Sequence, residues 1–181
     1  MTNVCVFSGS TPGVDPAFME VATELGAALA DAGLGLVYGG GAAGLMGAVS
    51  GGALSRGGHV TGVIPSALME LELGRTDIAD LRVVRDMHER KGLMYELSAA
   101  FVTLPGGLGT YDEFFETATW TKLGLHTKRS LVLDVGGYYA PLRAMLDHAV
   151  ENGFFTDADR ELISFHDDVA GVIEALQSER A

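Results

Sequence analysis

The chain has 181 residues, enough for a single domain with a proper core, and its 48% hydrophobic and 20% charged residues exclude a disordered chain. A net charge of −12 without a basic run argues against wrapping nucleic acid, and no apolar run approaches the ~20 residues of a membrane span. The start of the chain has no signal-type pattern, and the one cysteine, Cys5, excludes an intrachain disulfide, so a cytoplasmic protein is expected. Cys5 falls in a predicted strand and reads as an inert buried thiol.

Val4 to Phe7 is a short apolar strand that ends in Ser8-Gly9-Ser10-Thr11-Pro12-Gly13. Asp15-Pro16 then reads as an N-cap with proline at the first helical position. This helix runs to about Ala32, with Val21, Leu25, Ala28 and Leu29 on its apolar face. Leu34 to Tyr38 is a second strand, followed by a run of glycines, Gly39-Gly40-Gly41, and by Gly44. Gly44 to Arg56 is predicted helical in spite of Gly44, Gly47, Gly51 and Gly52. Each interior glycine costs up to ~1 kcal/mol relative to alanine, so the helix is expected to press against a sheet or a ligand.

Val60 to Ile64 is a third strand, and Ser66 to Asp80, with Glu70, Glu72, Asp77 and Asp80, reads as a loop over one edge. Leu81 to Val84 is a fourth strand, and Asp86 caps a helix to about Ala99. Phe101 to Leu104 is a buried strand that breaks at Pro105-Gly106-Gly107 and restarts as a helix from Thr110 to Leu123. Strands at 131–134 and 163–165 and helices at 139–151, 156–161 and 167–177 complete the chain. Uniformly apolar strands alternating with helices predict a doubly wound α/β fold, a parallel sheet flanked by helices on both faces. Ligands in such folds bind outside the carboxyl ends of the strands, where the glycine-rich turns lie.

A strand feeding a glycine-rich turn that opens onto a helix N-terminus suits an anion, because unpaired N–H groups of the first helical turn converge there. The spacing after Pro105 is not that of a triphosphate-binding loop, and a monophosphate is the simpler guest. Thr110 and Glu113 match a capping box, and the same carboxylate could serve chemistry; the spacing leaves both readings open. Gly39-x-Gly41-x-x-Gly44 matches a dinucleotide fingerprint, but no acid follows at the end of the next strand to take a ribose hydroxyl. Arg90 and Lys91, adjacent cations early in a helix of an acidic protein, point to an anionic partner. Glu116, one turn beyond Glu113, reads as an exposed helix acid or as an assistant to Glu113. The five histidines are scattered and support no metal site.

Pro105-Gly106-Gly107-Leu108-Gly109-Thr110-Tyr111-Asp112-Glu113 resembles the PGGxGTxxE motif of the LOG (Lonely Guy) family, often mislabelled lysine decarboxylase. Met87-His88-Glu89-Arg90-Lys91 resembles its second signature, and the stretch from Gly39 to Gly47 resembles its GGGxxGLMG segment. The resemblance spans nearly the whole chain and implies one Rossmann-like domain over residues 1–181, without metal or organic cofactor. It implies a homodimeric hydrolase that splits the N-glycosidic bond of AMP or an N⁶-substituted AMP into free base and ribose 5-phosphate. Arg90 and Glu113 would be the catalytic pair. Gly106, Gly107, Gly109 and Thr110 would hold the phosphate, with Lys91 and Met87 nearby and Ser8 and Gly41 contacting substrate. Ser8 stands where family members often carry cysteine, which leaves its contact open. Decarboxylation would need a Schiff-base lysine, and none of the three lysines lies in a recognisable cofactor site. A nucleotide-binding or carrier module of the same fold, without turnover, is the competing reading. An apolar patch around Trp120, Leu123 and Leu125 is the expected interface.

Overall fold

The computed structural model describes residues 2–69 and 74–178; Glu70 and Glu72 of the expected edge loop lie outside these. Seven strands form one parallel sheet: β1 (Asn3–Phe7), β2 (Gly35–Tyr38), β3 (Val60–Pro65), β4 (Asp80–Val84), β5 (Ala100–Thr103), β6 (Ser130–Leu133) and β7 (Ile163–His166). The strand order is β4-β3-β2-β1-β5-β6-β7, every neighbouring pair parallel. Strand order reverses between β1 and β5, where Val4 pairs with Ala100 and Phe7 with Thr103. The crevice of such a doubly wound sheet opens at this point.

Alternate strand residues face opposite layers. Val4, Val6, Leu36, Val102 and Leu131 pack beneath α1 (Ala17–Asp31), α2 (Gly44–Ser55) and α7 (Val169–Gln177). Cys5, Phe7, Val37, Val63 and Phe101 face the other layer, with α3 (Met87–Glu96) and Trp120 of α4 (Leu108–Lys122). Phe114 of α4 and Leu142 and Leu146 of α5 (Ala140–Glu151) enclose Val132 and Tyr139 further along that face. A short α6 (Asp157–Glu161) follows, opened by a capping box between Thr156 and Asp159.

Among the glycines of α2, Gly52 presses against another helix, neither a sheet nor a ligand. A Cβ on Gly52 would stand 2.0 Å from the Thr23 carbonyl oxygen, and one on Gly26 of α1 would stand 1.9 Å from that of Val49. Glycine at both positions lets the backbones of α1 and α2 touch. Cys5 is buried as expected, and burial, followed by the Glu113 charge, pushes its thiol well above the usual range.

Gly26→Ala should lower the unfolding free energy by about 3 kcal/mol, because the added methyl meets backbone that cannot rotate away. Urea unfolding measures this, and an unchanged midpoint would contradict the close approach.

Exposed acids also support the folded state. The Glu89 backbone N–H holds the Asp86 carboxylate below its usual range, and the Arg82 guanidinium does the same for Asp80. A lowered folded pKa gives stability that is present above the unfolded pKa and is lost as pH falls through the folded one. The urea midpoint should therefore stay level from neutral pH to about 5 and fall below about 4. Asp86→Asn, which still caps α3, should shed part of that fall; an identical acid profile would count against it.

Candidate functional site

The turns that follow β1 and β5 meet at the point where the strand order reverses. The Gly9 N–H donates to the Pro105 carbonyl at 3.0 Å, and a Cβ on Gly9 would lie 3.2 Å from the Gly106 Cα. The turn after β2 joins them, but its helix is already satisfied. The Leu45 and Met46 N–H groups at the start of α2 both donate to the Gly9 carbonyl, at 3.0 and 3.3 Å. A Cβ on Gly44 would lie 2.4 Å from the Ser10 carbonyl carbon. Protein backbone thus fills the place where the fingerprint glycines would admit a pyrophosphate. Gly41, buried, bridges to Gly74 in antiparallel fashion.

The start of α4 is different. This helix begins at Leu108 with Gly107 as N-cap and no side-chain cap, and the Tyr111 N–H is the first to find a partner, the Gly107 carbonyl at 3.0 Å. Thr110 therefore lies inside the first turn, buried, and Glu113 is buried one turn further along, so the two do not form the expected capping box. The two glycines around Leu108 hide this earlier start, since glycine signals a turn more strongly than a helix. A cavity of about 250 Å³ lies over the turn, lined in part by Thr11, Pro105, Gly106, Gly107 and Tyr138. Among the described residues that line it there is no lysine or arginine. An anion here would be held by N–H groups and hydroxyls.

The glycines of this turn divide into two kinds. A Cβ on Gly106 would stand 2.1 Å from the Thr110 Oγ1, so the fold itself requires glycine. Gly107 and Gly109 are exposed, and a Cβ on either would meet nothing within 4 Å. Neither has a positive φ, so backbone conformation does not demand glycine either. The described fold thus sets no requirement for glycine at either position.

Arg90 of α3 is buried beneath the ends of β2 and β3. Its Nη2 donates to the Gly39 carbonyl at 2.7 Å and its Nε to the Val63 carbonyl at 3.1 Å. Its Nη1 lies 3.7 Å from the Sδ of Met87, itself half-exposed at the first position of α3. A Cβ on Gly39 would be 2.2 Å from the guanidinium, so the glycine leaves the room Arg90 uses. The Glu113 charge helps push the buried Cys5 thiol up, and the Arg90 charge opposes it.

Lys91 is engaged elsewhere than the phosphate reading would have it. Its Nζ lies 3.1 Å from both Asp112 and Glu116 on α4. Burial opposes the charge, but the hydrogen bonds the ammonium donates to these two carboxylates hold its pKa above the usual range. Glu116 also accepts from the Tyr95 hydroxyl at 2.7 Å and so ties α3 to α4. Ser8, at the end of β1, is buried with no hydrogen-bond partner for its Oγ among the described residues. Tyr138 and Tyr139, which grip the Gly106 and Leu104 carbonyls, escaped the sequence reading. The signal available was their place just after Gly136-Gly137, a glycine-rich turn at a strand's carboxyl end like the others.

Gly107→Ala should leave the protein as stable as before, and Gly109→Ala should add up to ~1 kcal/mol, because α4 gains a better helix former. Both should weaken binding of a phosphate-bearing ligand, measured by calorimetry against thermal melting. Loss of stability together with binding would mean the fold, not a ligand, needs those glycines.

Comparison with known proteins follows the same pattern. A family model described as possible lysine decarboxylase matches residues 46–176. A Rhodococcoides fascians protein named cytokinin riboside 5′-monophosphate phosphoribohydrolase is 44% identical over 177 residues, 97% of this chain and 89% of that protein. An Arabidopsis thaliana protein of the same name is 45% identical over 88% of this chain and 74% of its own length. Among solved structures, the molybdenum cofactor carrier protein of Chlamydomonas reinhardtii shares the fold with a TM-score of 0.70 at 24% identity, covering 98% of this chain and 96% of that one.

Proposed function

This chain belongs to the LOG family, the cytokinin riboside 5′-monophosphate phosphoribohydrolases, and we propose how its own residues carry out that reaction. The protein hydrolyses the N-glycosidic bond of an adenosine 5′-monophosphate, N⁶-substituted in the cytokinin case, to free base and ribose 5-phosphate. The observation that carries the residue assignment is Glu113, buried one turn beyond the start of α4, a helix with no side-chain cap, together with the buried Arg90 of α3.

The substrate phosphate sits at the start of α4, against the N–H groups of Gly107 and Gly109 and the Thr110 hydroxyl, in the space above Gly106. Held there, the ribose presents C1′ toward Glu113, and remote binding energy becomes orientation at the reacting carbon. The bond from C1′ to the base nitrogen breaks with its electron pair going to the base, leaving oxocarbenium character on the sugar. Water attacks C1′ as the Glu113 carboxylate takes its proton, and the departing base takes a proton from solvent, to which Glu113 returns the one it holds. Arg90, anchored on the Gly39 and Val63 carbonyls, orients Glu113 and the substrate. Ser8, Gly41 and Met87 complete the substrate-binding set, and Lys91 contributes by holding α4 in place through Asp112 and Glu116.

Decarboxylation fits these residues poorly. Lys91 is paired with acids, Lys122 with Asp159, and the Lys128 ammonium donates to the Tyr95 carbonyl, so each lysine is committed away from a Schiff base. On the same reading the protein is a single-domain cytoplasmic homodimer. Leu123 and Leu125 at the end of α4 are exposed and available to a second copy, whereas Trp120 turns inward and packs edge-on against Tyr95 at 5.4 Å. Among the described residues no helix is long and apolar enough to cross a membrane. The carrier reading keeps one support, the shared fold of the molybdenum cofactor carrier.

Adenine release from AMP and isopentenyladenine release from its riboside monophosphate decide between the two. Wild type should release base, and Glu113→Gln should lose roughly 10³-fold in rate while melting as a folded protein. Nucleotide binding without release in the wild type would favour the carrier.

A further inference from the structure

The turn before α4 is unusual in what it does with its carbonyl groups. Three consecutive carbonyls, those of Leu104, Pro105 and Gly106, each accept a hydrogen bond from outside the turn, from two other parts of the chain. The Tyr139 hydroxyl donates to Leu104 at 2.7 Å, the Gly9 N–H to Pro105 at 3.0 Å, and the Tyr138 hydroxyl to Gly106 at 2.6 Å. In a planar trans peptide the carbonyl and the following N–H point in opposite directions. Fixing the Pro105 carbonyl therefore aims the Gly106 N–H, and fixing the Gly106 carbonyl aims the Gly107 N–H.

The last of these bonds carries the most. The Gly106–Gly107 peptide has glycine on both sides, so little else resists its rotation. A flip would withdraw one N–H and replace it with a carbonyl oxygen, which repels an anion. Tyr138 holds the unflipped form. Its own orientation is set from three sides: the Tyr111 hydroxyl donates to its oxygen at 3.3 Å, Phe18 packs edge-on at 5.7 Å, and Tyr139 packs edge-on at 4.9 Å. Tyr111 belongs to the second turn of α4, so the hydroxyl chain from Tyr111 to Tyr138 to Gly106 closes a loop around the helix start. The turn that delivers the tyrosines depends on Gly136 and Gly137, whose φ angles of 61° and 76° lie in the left-handed region. The Asp134 carboxylate then accepts from the Tyr139 N–H at 2.7 Å.

We infer that Tyr138 is a positioning residue for the phosphate of the substrate, acting through the Gly106–Gly107 peptide, with Tyr111 as its support. The inference rests on the placement of the phosphate at the start of α4 proposed above. Tyr138 also lines the cavity over this turn, but its hydroxyl is spent on the Gly106 carbonyl. Its effect should therefore be confined to ligands that carry a phosphate.

The test separates the two halves of the substrate by using the two products as probes. Tyr138→Phe keeps the ring against Phe18 and Tyr139 and removes only the hydroxyl, so its melting temperature should match wild type within a few degrees. KM for AMP and the dissociation constant for ribose 5-phosphate should both rise about tenfold, the loss of roughly one hydrogen bond's worth of orientation. The dissociation constant for adenine should not change. Tyr111→Phe, which leaves the bond to Gly106 in place, should shift the ribose 5-phosphate constant in the same direction by less. Equal weakening toward adenine and ribose 5-phosphate would reduce Tyr138 to a structural residue, and an unchanged ribose 5-phosphate constant would overturn the inference. Calorimetry with ribose 5-phosphate needs no turnover. A wild type that binds this product but releases no base would therefore sink the hydrolase mechanism and leave the role of Tyr138 standing.

Discussion

A buried guanidinium holds the carboxyl ends of two strands together. Arg90 reaches from α3 under β2 and β3 and takes the Gly39 carbonyl, just past the end of β2, and the Val63 carbonyl of β3. Burying a charge is costly unless its donors are met, and these contacts meet them with backbone. The same contacts explain why Gly39 has no side chain. They also place a permanent cation at the ends of β2 and β3.

The turns at this end of the sheet do different work, though all are rich in glycine. The turn after β2 spends the donors of α2 on the Gly9 carbonyl and becomes a structural joint. The turn after β5 keeps the first donors of α4 unspent by having its carbonyls bound elsewhere. An anion site needs this second condition as much as it needs N–H groups, since a carbonyl facing the guest would cancel much of what a helix N-terminus offers. Glycine content alone does not distinguish the joint from the cradle; the partners of the carbonyls do.

Part of the site was legible in the chain. The strand, turn and helix around Pro105 to Glu113 and the cations Arg90 and Lys91 stood out because they break local rules: glycines where a helix begins, and cations near a helix N-terminus. The role of Lys91 was not legible. Its carboxylate partners on α4 lie 21 and 25 positions away, and spacing along α3 says nothing about which helix packs beside it. The capping box at Thr110 and Glu113 looked sound for the same reason it failed. The pattern is real at Thr156 and Asp159, but α4 begins earlier at Leu108, driving Thr110 and Glu113 into the interior.

The order and kind of the strands and α-helices followed from the amino-acid sequence, because apolar runs and the glycines and prolines between them act on near neighbours. So did the class of the fold, since only a sheet covered on both faces accepts strands that are apolar throughout. Tertiary structure decided which glycines serve helix packing and which leave room for a guest, which cations are paired, and which carbonyls turn away from the crevice. Those outcomes depend on groups such as Tyr138 and Gly106, 32 residues apart in the chain, being brought within hydrogen-bonding distance. No local pattern encodes that contact; it exists only once β5 and β6 lie side by side.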